Sequence, residues 1–324
     1  MASVKPLASI IIPVVNNLGY NKQCLESIFS HTPAPPLYEI IVVDNNSTDG
    51  SREYFRSLGN KIKLIGNDTL RTFAQSCNQG AENAEGEFLV FLNNDTYVTP
   101  GWLEAMLDCI RSDPKIGIVG NKQLFPGNNL VYHAGGVFNE EKIPKHLYLH
   151  FDPRLEFLNV DREYQWVTAC CLLTTQRLFS ALGGFDEGYK NSYEDVDLCL
   201  KARARGCKVV YCHESVIYHY GQSTPGRMDR ELQNRKRFHD RWWDRIEPDK
   251  DSFIQSDNVP ACFKTENFVE CDLDRFGFLG GKRATHKERL EAIYNSWIWR
   301  ATKPWRRIKR HFRKKASRNA RGVS

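Results

Sequence analysis

The chain has 324 residues, 41% of them hydrophobic and 26% charged, and a formal net charge of +6. That length suits one large α/β domain with an appendage, or two modest domains. The charge is unevenly placed: from Ala292 to the end there are eleven Lys or Arg and no acid, while residues 1–291 hold the other 34 basic and all 39 acidic side chains. A mildly acidic body disfavours nucleic acid as a partner of the body, and the basic tail points to an anionic partner of its own. No apolar run reaches the roughly 18–20 residues that a membrane span needs. Met1–Leu7 has no leader character, so a cytoplasmic setting is expected. The ten cysteines include no C-x-x-C pair of zinc type, and reduced thiols are expected.

Three short apolar runs, Ala8–Val15, Ile40–Val43 and Phe88–Leu92, read as strands buried on both faces. Between them, Asn21–His31, Asp49–Leu58 and Thr72–Ala84 read as helices. This alternation predicts a doubly wound α/β half, and its polar residues gather after the strand ends, where such sheets bind ligands. Pro100–Ser112 is predicted as a helix and Ile116–Gly120 as a strand. Phe125–Glu163 is less regular and reads as strands with a variable loop over the site. Val167–Thr174 is a further strand, Arg177–Leu182 a short helix before a Gly183–Gly184 turn, and Glu194–Arg205 a helix. Lys208–Cys212 and Val216–His219 are strand-like, and Arg230–Trp243 is helical. In Glu291–Lys315 the residues Ile293, Trp297, Trp305, Ile308 and Phe312 share one helical face among basic neighbours, with Pro304 interrupting it.

Four constellations could carry chemistry. Asp44 ends the second apolar run and could accept hydrogen bonds from a base or ribose, while Ser47, Thr48 and Asp49 beside it could equally cap a helix. Asn93-Asn94-Asp95 ends the third run, where a carboxylate can hold a hard divalent cation or form a turn. Glu194, Asp195 and Asp197 crowd a helix start, which suits either the helix dipole or a general base. His219 follows a strand and could complete a metal site or simply be structural.

In this order, these residues resemble the inverting glycosyltransferase family 2 of the GT-A fold. The resemblance runs from about Ser9 to Trp243. It is carried by Ile10-Ile11-Ile12-Pro13, Val42-Val43-Asp44-Asn45-Asn46-Ser47-Thr48-Asp49-Gly50, Phe91-Leu92-Asn93-Asn94-Asp95, Gly183-Gly184-Phe185-Asp186-Glu187, and the run from Glu194 to His219. Within the family the chain looks closest to bacterial rhamnosyltransferase-like enzymes.

The resemblance implies an α/β, Rossmann-like GT-A fold. Its mixed, mainly parallel sheet would be flanked by helices and followed by a C-terminal helical extension. It would occupy 1–245, with a nucleotide half to about 120 and an acceptor half from 121, followed by an extension over 246–290 and the basic amphipathic tail over 291–324. Pro13, Asn16, Asp44, Asn78, Asn93, Asn94 and Asp95 would then line the nucleotide-sugar pocket. Asp95 and His219 would hold Mn2+ or Mg2+, Asp195 would be the base supported by Glu194, and Asp186 would order the acceptor side. Asn93 and Asn45 stand where many relatives have acids, which would thin the ligand set. Arg71-Thr72 stands where many relatives carry glycine.

The implied reaction moves a sugar from a dTDP- or UDP-sugar, dTDP-rhamnose among the candidates, to a hydroxyl of a glycan or lipid-linked acceptor. Without a Gln-x-x-Arg-Trp sequence, transfer of one or a few sugars is expected. A nucleotidyltransferase would need a basic phosphate loop where Val14–Gly19 has none. A membrane or nucleic-acid module would leave the ordered acids without a role. The tail over 293–318 suits an anionic membrane surface, placing the protein peripherally on the inner face. Oligomeric state is not legible.

Overall fold

The computed structural model describes residues 5–33, 37–221 and 230–259. Its first half alternates β1 (Ala8–Val14), α1 (Leu18–His31), β2 (Tyr38–Asn45), α2 (Ser51–Ser57), β3 (Lys63–Asn67), α3 (Phe73–Glu82) and β4 (Phe88–Leu92). The four strands lie in the order β4-β1-β2-β3, all parallel. Ile10, Ile11, Val42, Val43, Val90 and Phe91 are all fully buried, as expected for strands covered on both faces. α3 starts with a capping box, in which Thr72 Oγ1 accepts from Gln75 N and Gln75 Oε1 accepts from Thr72 N.

The second half contains β5 (Thr96–Val98), α4 (Trp102–Ser112), β6 (Ile116–Leu124), β7 (Val131–His133), β8 (Gly136–Phe138), β9 (Pro144–His146), β10 (Arg162–Glu163), β11 (Cys171–Thr175), α5 (Gln176–Ala181), α6 (Glu194–Ala204), β12 (Lys208–His219), α7 (Glu231–Trp242) and α8 (Lys250–Ser256). β11 runs antiparallel between β4 and β6, and β12 is again parallel to β6. β10 and β5 pair antiparallel with β12, β7 pairs with β6, and β8 and β9 form a separate hairpin.

Two apolar layers sandwich the sheet. On one side Cys24, Leu25 and Ile28 of α1 meet Trp102, Met106 and Ile110 of α4. On the other, Ala74 and Cys77 of α3 meet Phe179 of α5, Val196 and Leu200 of α6, and Phe238 of α7. Their spacing of three and four residues turns one stripe of each helix inward.

Several elements differ from the sequence reading. β3 is a half-exposed edge strand whose five residues carry too little pattern to be seen. β5 is only three residues long. β11 begins at Cys171 rather than Val167, because the preceding turn is drawn toward α6 and β4. Lys208–His219 is one strand interrupted by a bulge, not two.

Beyond α7 the chain continues to pack on the body. Asp249 Oδ1 accepts from Phe138 N at 2.8 Å, and Arg162 grips Asp257 through two bonds of 2.6 and 2.7 Å. The expected tail at 291–324, and the extension from 260 on, lie outside the described residues. Among the described residues no helix is long and apolar enough to cross a membrane.

Candidate active site

β1 and β4 are neighbours, yet the chain leaves them toward opposite sides of the sheet, β1 toward β2 and β4 toward the β11 side. A crevice at the carboxyl ends of such a strand pair is the usual ligand position in open α/β sheets. The loops that meet there are stitched together. Asn16 N donates to Ser47 Oγ and Asn16 Oδ1 accepts from Thr48 N, both at 2.8 Å. Leu18 N donates to Asp49 Oδ2 at 2.8 Å, so Asp49 caps α1 across the loop, while its Oδ1 accepts from Ser51 N and Oγ at the start of α2. Asn16, Asn17 and Asn46 all have positive φ, a conformation that asparagine tolerates better than most residues. Pro13 lies opposite Val43 in the β1–β2 register. Asn94 donates to Asn21 at 2.7 Å, tying the end of β4 to α1.

Asp44 is fully buried at the end of β2. Its Oδ2 accepts from Arg52 Nε at 2.5 Å and its Oδ1 from Ser47 N at 3.2 Å. Arg52 is a partner of Asp44 that the sequence reading missed. Asn45 takes no part in the crevice: it bonds Ser76 and Asn67 in a buried amide network that Gln79 completes.

Asp95 and His219 are brought together by strand pairing. β5 and β12 align Thr96 with His219, which sets the imidazole beside the carboxylate one residue earlier. Both side chains are buried, and His219 Nε2 lies 3.4 Å from Asp95 Oδ1. Two donors roughly 2.1 Å from one ion at a right angle stand about 3 Å apart, so this spacing suits a shared cation. An oxygen and an imidazole donor also match Mn2+. His219 Nδ1 is buried without a hydrogen-bond partner among the described residues. Burial pushes the Cys24 thiol up to about 12, with the Asp95 charge adding to it. Burial likewise raises Cys170, and Asp95 and Asp195 both contribute.

Cys170 thus lies between two of the expected acids, and the backbone explains why. Ala169 N donates to Asp195 Oδ2 at 3.0 Å, while Cys170 O accepts from Asn93 N at 2.8 Å. One short segment spans Asp195 on α6 and the end of β4. Asp195 is half-buried, and its Oδ1 also accepts from Val196 N at 2.9 Å. Tyr193, just before Glu194, has φ of 72° and is held by its hydroxyl on Glu231 and its ring on Phe238. Such a conformation costs about 1–3 kcal/mol and fixes the turn that presents Glu194 and Asp195. Glu194 is buried, and its charge together with burial raises Cys77.

Other expected residues have partners within the fold. The Asn78 amide donates to Phe185 O and Glu187 and accepts from Phe185 N, clamping the Gly183–Glu187 turn on α3. Gly184 has φ of 68°, and a Cβ there would lie 2.7 Å from Asn78 Oδ1, so the turn requires glycine. Asp186 accepts from Gly188 N and from Arg237 twice at 2.9 Å. Burial works against its charge, but Arg237 and the Gly188 amide hold it below the usual carboxylate range. Asp197 is fully buried against Trp242 Nε1 at 2.8 Å, Lys201 Nζ at 2.9 Å and Arg241 at 3.2 Å. It joins α7 to α6 and belongs to the framework.

An aromatic wall beside His219 escaped the sequence reading. Tyr132 packs on His219 with centroids 4.5 Å apart, and His133 and His146 stand behind it with Nδ1 atoms 2.8 Å apart. Burial first, then His146 and His219, push His133 well below the usual imidazole range. Tyr220 packs on Tyr20 with centroids 4.8 Å apart and tilted rings, and its hydroxyl accepts from Gln23 at 2.6 Å.

The family model for glycosyl transferase family 2 matches residues 9–172. O-antigen biosynthesis protein RfbC of Myxococcus xanthus is 30% identical over 234 residues, covering 69% of this chain and 18% of that protein. N-acetylglucosaminyl-diphospho-decaprenol L-rhamnosyltransferase of Mycobacterium tuberculosis is 25% identical over 209 residues, 58% of this chain and 68% of that one. The chain spans a quarter or less of the length of the first two curated relatives it matches. Among solved structures, GalNAc-T7 with UDP, GalNAc and Mn2+ superposes with a TM-score of 0.60 at 18% identity, over 85% of this chain and 59% of that one. The fold is GT-A.

Proposed function

The chain belongs to glycosyl transferase family 2, and from that premise we propose that it is an inverting, metal-dependent glycosyltransferase acting in cell-surface polysaccharide synthesis. The observation that supports this most is the 3.4 Å approach of His219 to Asp95. Asp195 is held to the same neighbourhood through Ala169 and Cys170. The donor is a nucleoside-diphosphate sugar, with dTDP-rhamnose or another dTDP- or UDP-sugar as the first choice. The rhamnosyltransferase relative supports that choice. The acceptor is a glycan or lipid-linked hydroxyl.

Asp44, Asn16 and the loop around Ser47 bind the nucleoside, with Pro13 and Asn93–Asn94 forming the floor. Asp95 and His219 hold Mn2+ or Mg2+, which when bound neutralises charge on the departing diphosphate. Asp195 accepts the proton of the acceptor hydroxyl as its oxygen forms a bond to the anomeric carbon and the diphosphate oxygen leaves. One displacement inverts the configuration. Glu194, buried beside it, orients Asp195. The tail over 293–318 docks on anionic lipid at the inner membrane face, and its deletion should abolish sedimentation with anionic liposomes.

The test is a donor screen with Mn2+ and Mg2+, followed by Asp195→Asn in the productive pair. Transfer should fall by at least about a thousandfold while nucleoside-diphosphate binding stays within a factor of two or three. Transfer near the parent rate would remove Asp195 from the chemistry. Chelation, or Asp95→Asn, should weaken diphosphate binding by roughly 10–100-fold.

A further inference from the structure

Three side chains that take no part in the crevice converge from three elements: Cys109 on α4, Cys212 on β12 and Asp161 just before β10. Their sulfur and carboxylate atoms all lie within 4.8 Å of one another. We infer that Cys109, Cys212 and Asp161 form a second cation site, separate from Asp95 and His219, for a soft or borderline divalent ion of the Zn2+ class.

The donor set gives the selectivity. Two thiolates and a carboxylate suit Zn2+ and exclude Mg2+, which takes oxygen ligands. A tetrahedral ion holds such ligand atoms about 3.5–3.8 Å apart, so binding needs only a small contraction of the cluster. His213 fixes the carboxylate: its backbone N and its Nδ1 lie 2.9 and 2.6 Å from Asp161 Oδ1. Carboxylates and imidazoles at metal sites are commonly oriented by such a partner. Asp161 is 44% exposed, which gives an ion a route in while both sulfurs stay buried.

The bulge in β12 surrounds the Cys212 end of the site. Between Cys212 and Val216 the register with β6 shifts. Cys109 and the bulge amides of Ser215 and Glu214 lie within hydrogen-bonding reach of the Cys212 sulfur. Lys122, buried on β6, is close enough to feel the Cys212 charge and offsets part of it. In the neutral form the Cys212 thiol donates to Ala105 O at 3.5 Å. Binding releases the two thiol protons to solvent as two metal–sulfur bonds form.

The test uses the full chain, reduced and stripped with chelator, titrated with Cd2+ as a thiolate reporter and Zn2+ as competitor. A charge-transfer absorbance component should saturate at one ion per chain and persist in Asp95→Asn. Cys109→Ser and Cys212→Ser should each remove it, and Asp161→Asn should weaken it by about 10–100-fold. Absence of that component, its survival in Cys212→Ser, or its loss in Asp95→Asn would overturn the assignment. Should the serine variants not fold, alkylation of the parent chain decides. Zn2+ should slow labelling of Cys109 and Cys212 but leave Cys207 unchanged. Equal labelling with and without Zn2+, or a Cys109–Cys212 disulfide in the native protein, would refute the site.

Discussion

Asp197→Ala separates framework from chemistry within one helical turn. The Asp197 carboxylate is fully buried and faces Lys201, which is 13% exposed, as well as the Trp242 indole N–H and Arg241. Truncation leaves a nearly buried ammonium and a buried donor without their acceptor. Breaking one side of a buried ion pair costs about 3–5 kcal/mol. For a domain of this size, where 1 kcal/mol shifts Tm by about 2–4 °C, the expected loss is roughly 6–20 °C. Asp195→Asn keeps one carbonyl acceptor for the amides of Ala169 and Val196, so its cost is about 1 kcal/mol and its shift roughly 2–4 °C. Scanning calorimetry of both variants, paired with nucleoside-diphosphate binding, reads the contrast. If Asp197→Ala melted within about 2 °C of the parent chain, the ion cluster would not be holding α7 to α6. If Asp195→Asn were the more destabilised, Asp195 would be the framework acid.

Four further outcomes are expected. Asn78→Ala removes three hydrogen bonds to the 185–187 turn and should cost about 1–3 kcal/mol by denaturant melt, with nucleoside-diphosphate affinity unchanged. Burial lowers His150 from 6.5 to about 4, so the unfolded chain binds the proton first. Its contribution is therefore full above about pH 6.5 and is lost as pH falls toward 4, and Tm measured against pH should flatten across that window in His150→Asn. Gly120→Ala would place a Cβ 2.5 Å from Val167 Cβ and should cost about 1–3 kcal/mol. Gly19→Ala in α1 meets nothing within 4 Å and should be neutral or stabilising by up to about 1 kcal/mol.

The parallel half of the sheet was legible because β1, β2 and β4 are buried on both faces and so are continuously apolar. β3 and β5 were not, since an edge strand and a three-residue strand need few apolar side chains. At the site, Asp44, Asp95 and Asp195 stood out because each ends or begins a readable element. The division of labour among neighbouring acids did not. Asp195 and Asp197 differ only in which residues the fold brings to them, and Trp242 lies 45 positions from Asp197. The same limit hid Arg52 beside Asp44, the Tyr132–His146 wall, and the meeting of Cys109 with Cys212. The clamp that Asn78 makes on the 185–187 turn was not legible either, because its partners lie more than a hundred positions away.

The bulge in β12 also bears on how this family can drift in length. Asn121 and Lys122 of β6 are consecutive, whereas their partners Cys212 and Val216 are four positions apart. Three extra residues is an odd number, so the alternation of side chains is inverted across the bulge. Val210, Cys212 and Ile217 accordingly share one layer despite mixed parity. His219 inherits that inversion. Insertions or deletions of two residues between Cys212 and Val216 would leave the imidazole turned toward Asp95, while a change of one or three would rotate it to the opposite face of the sheet. Parity, more than residue identity, is what selection on this loop would have to preserve.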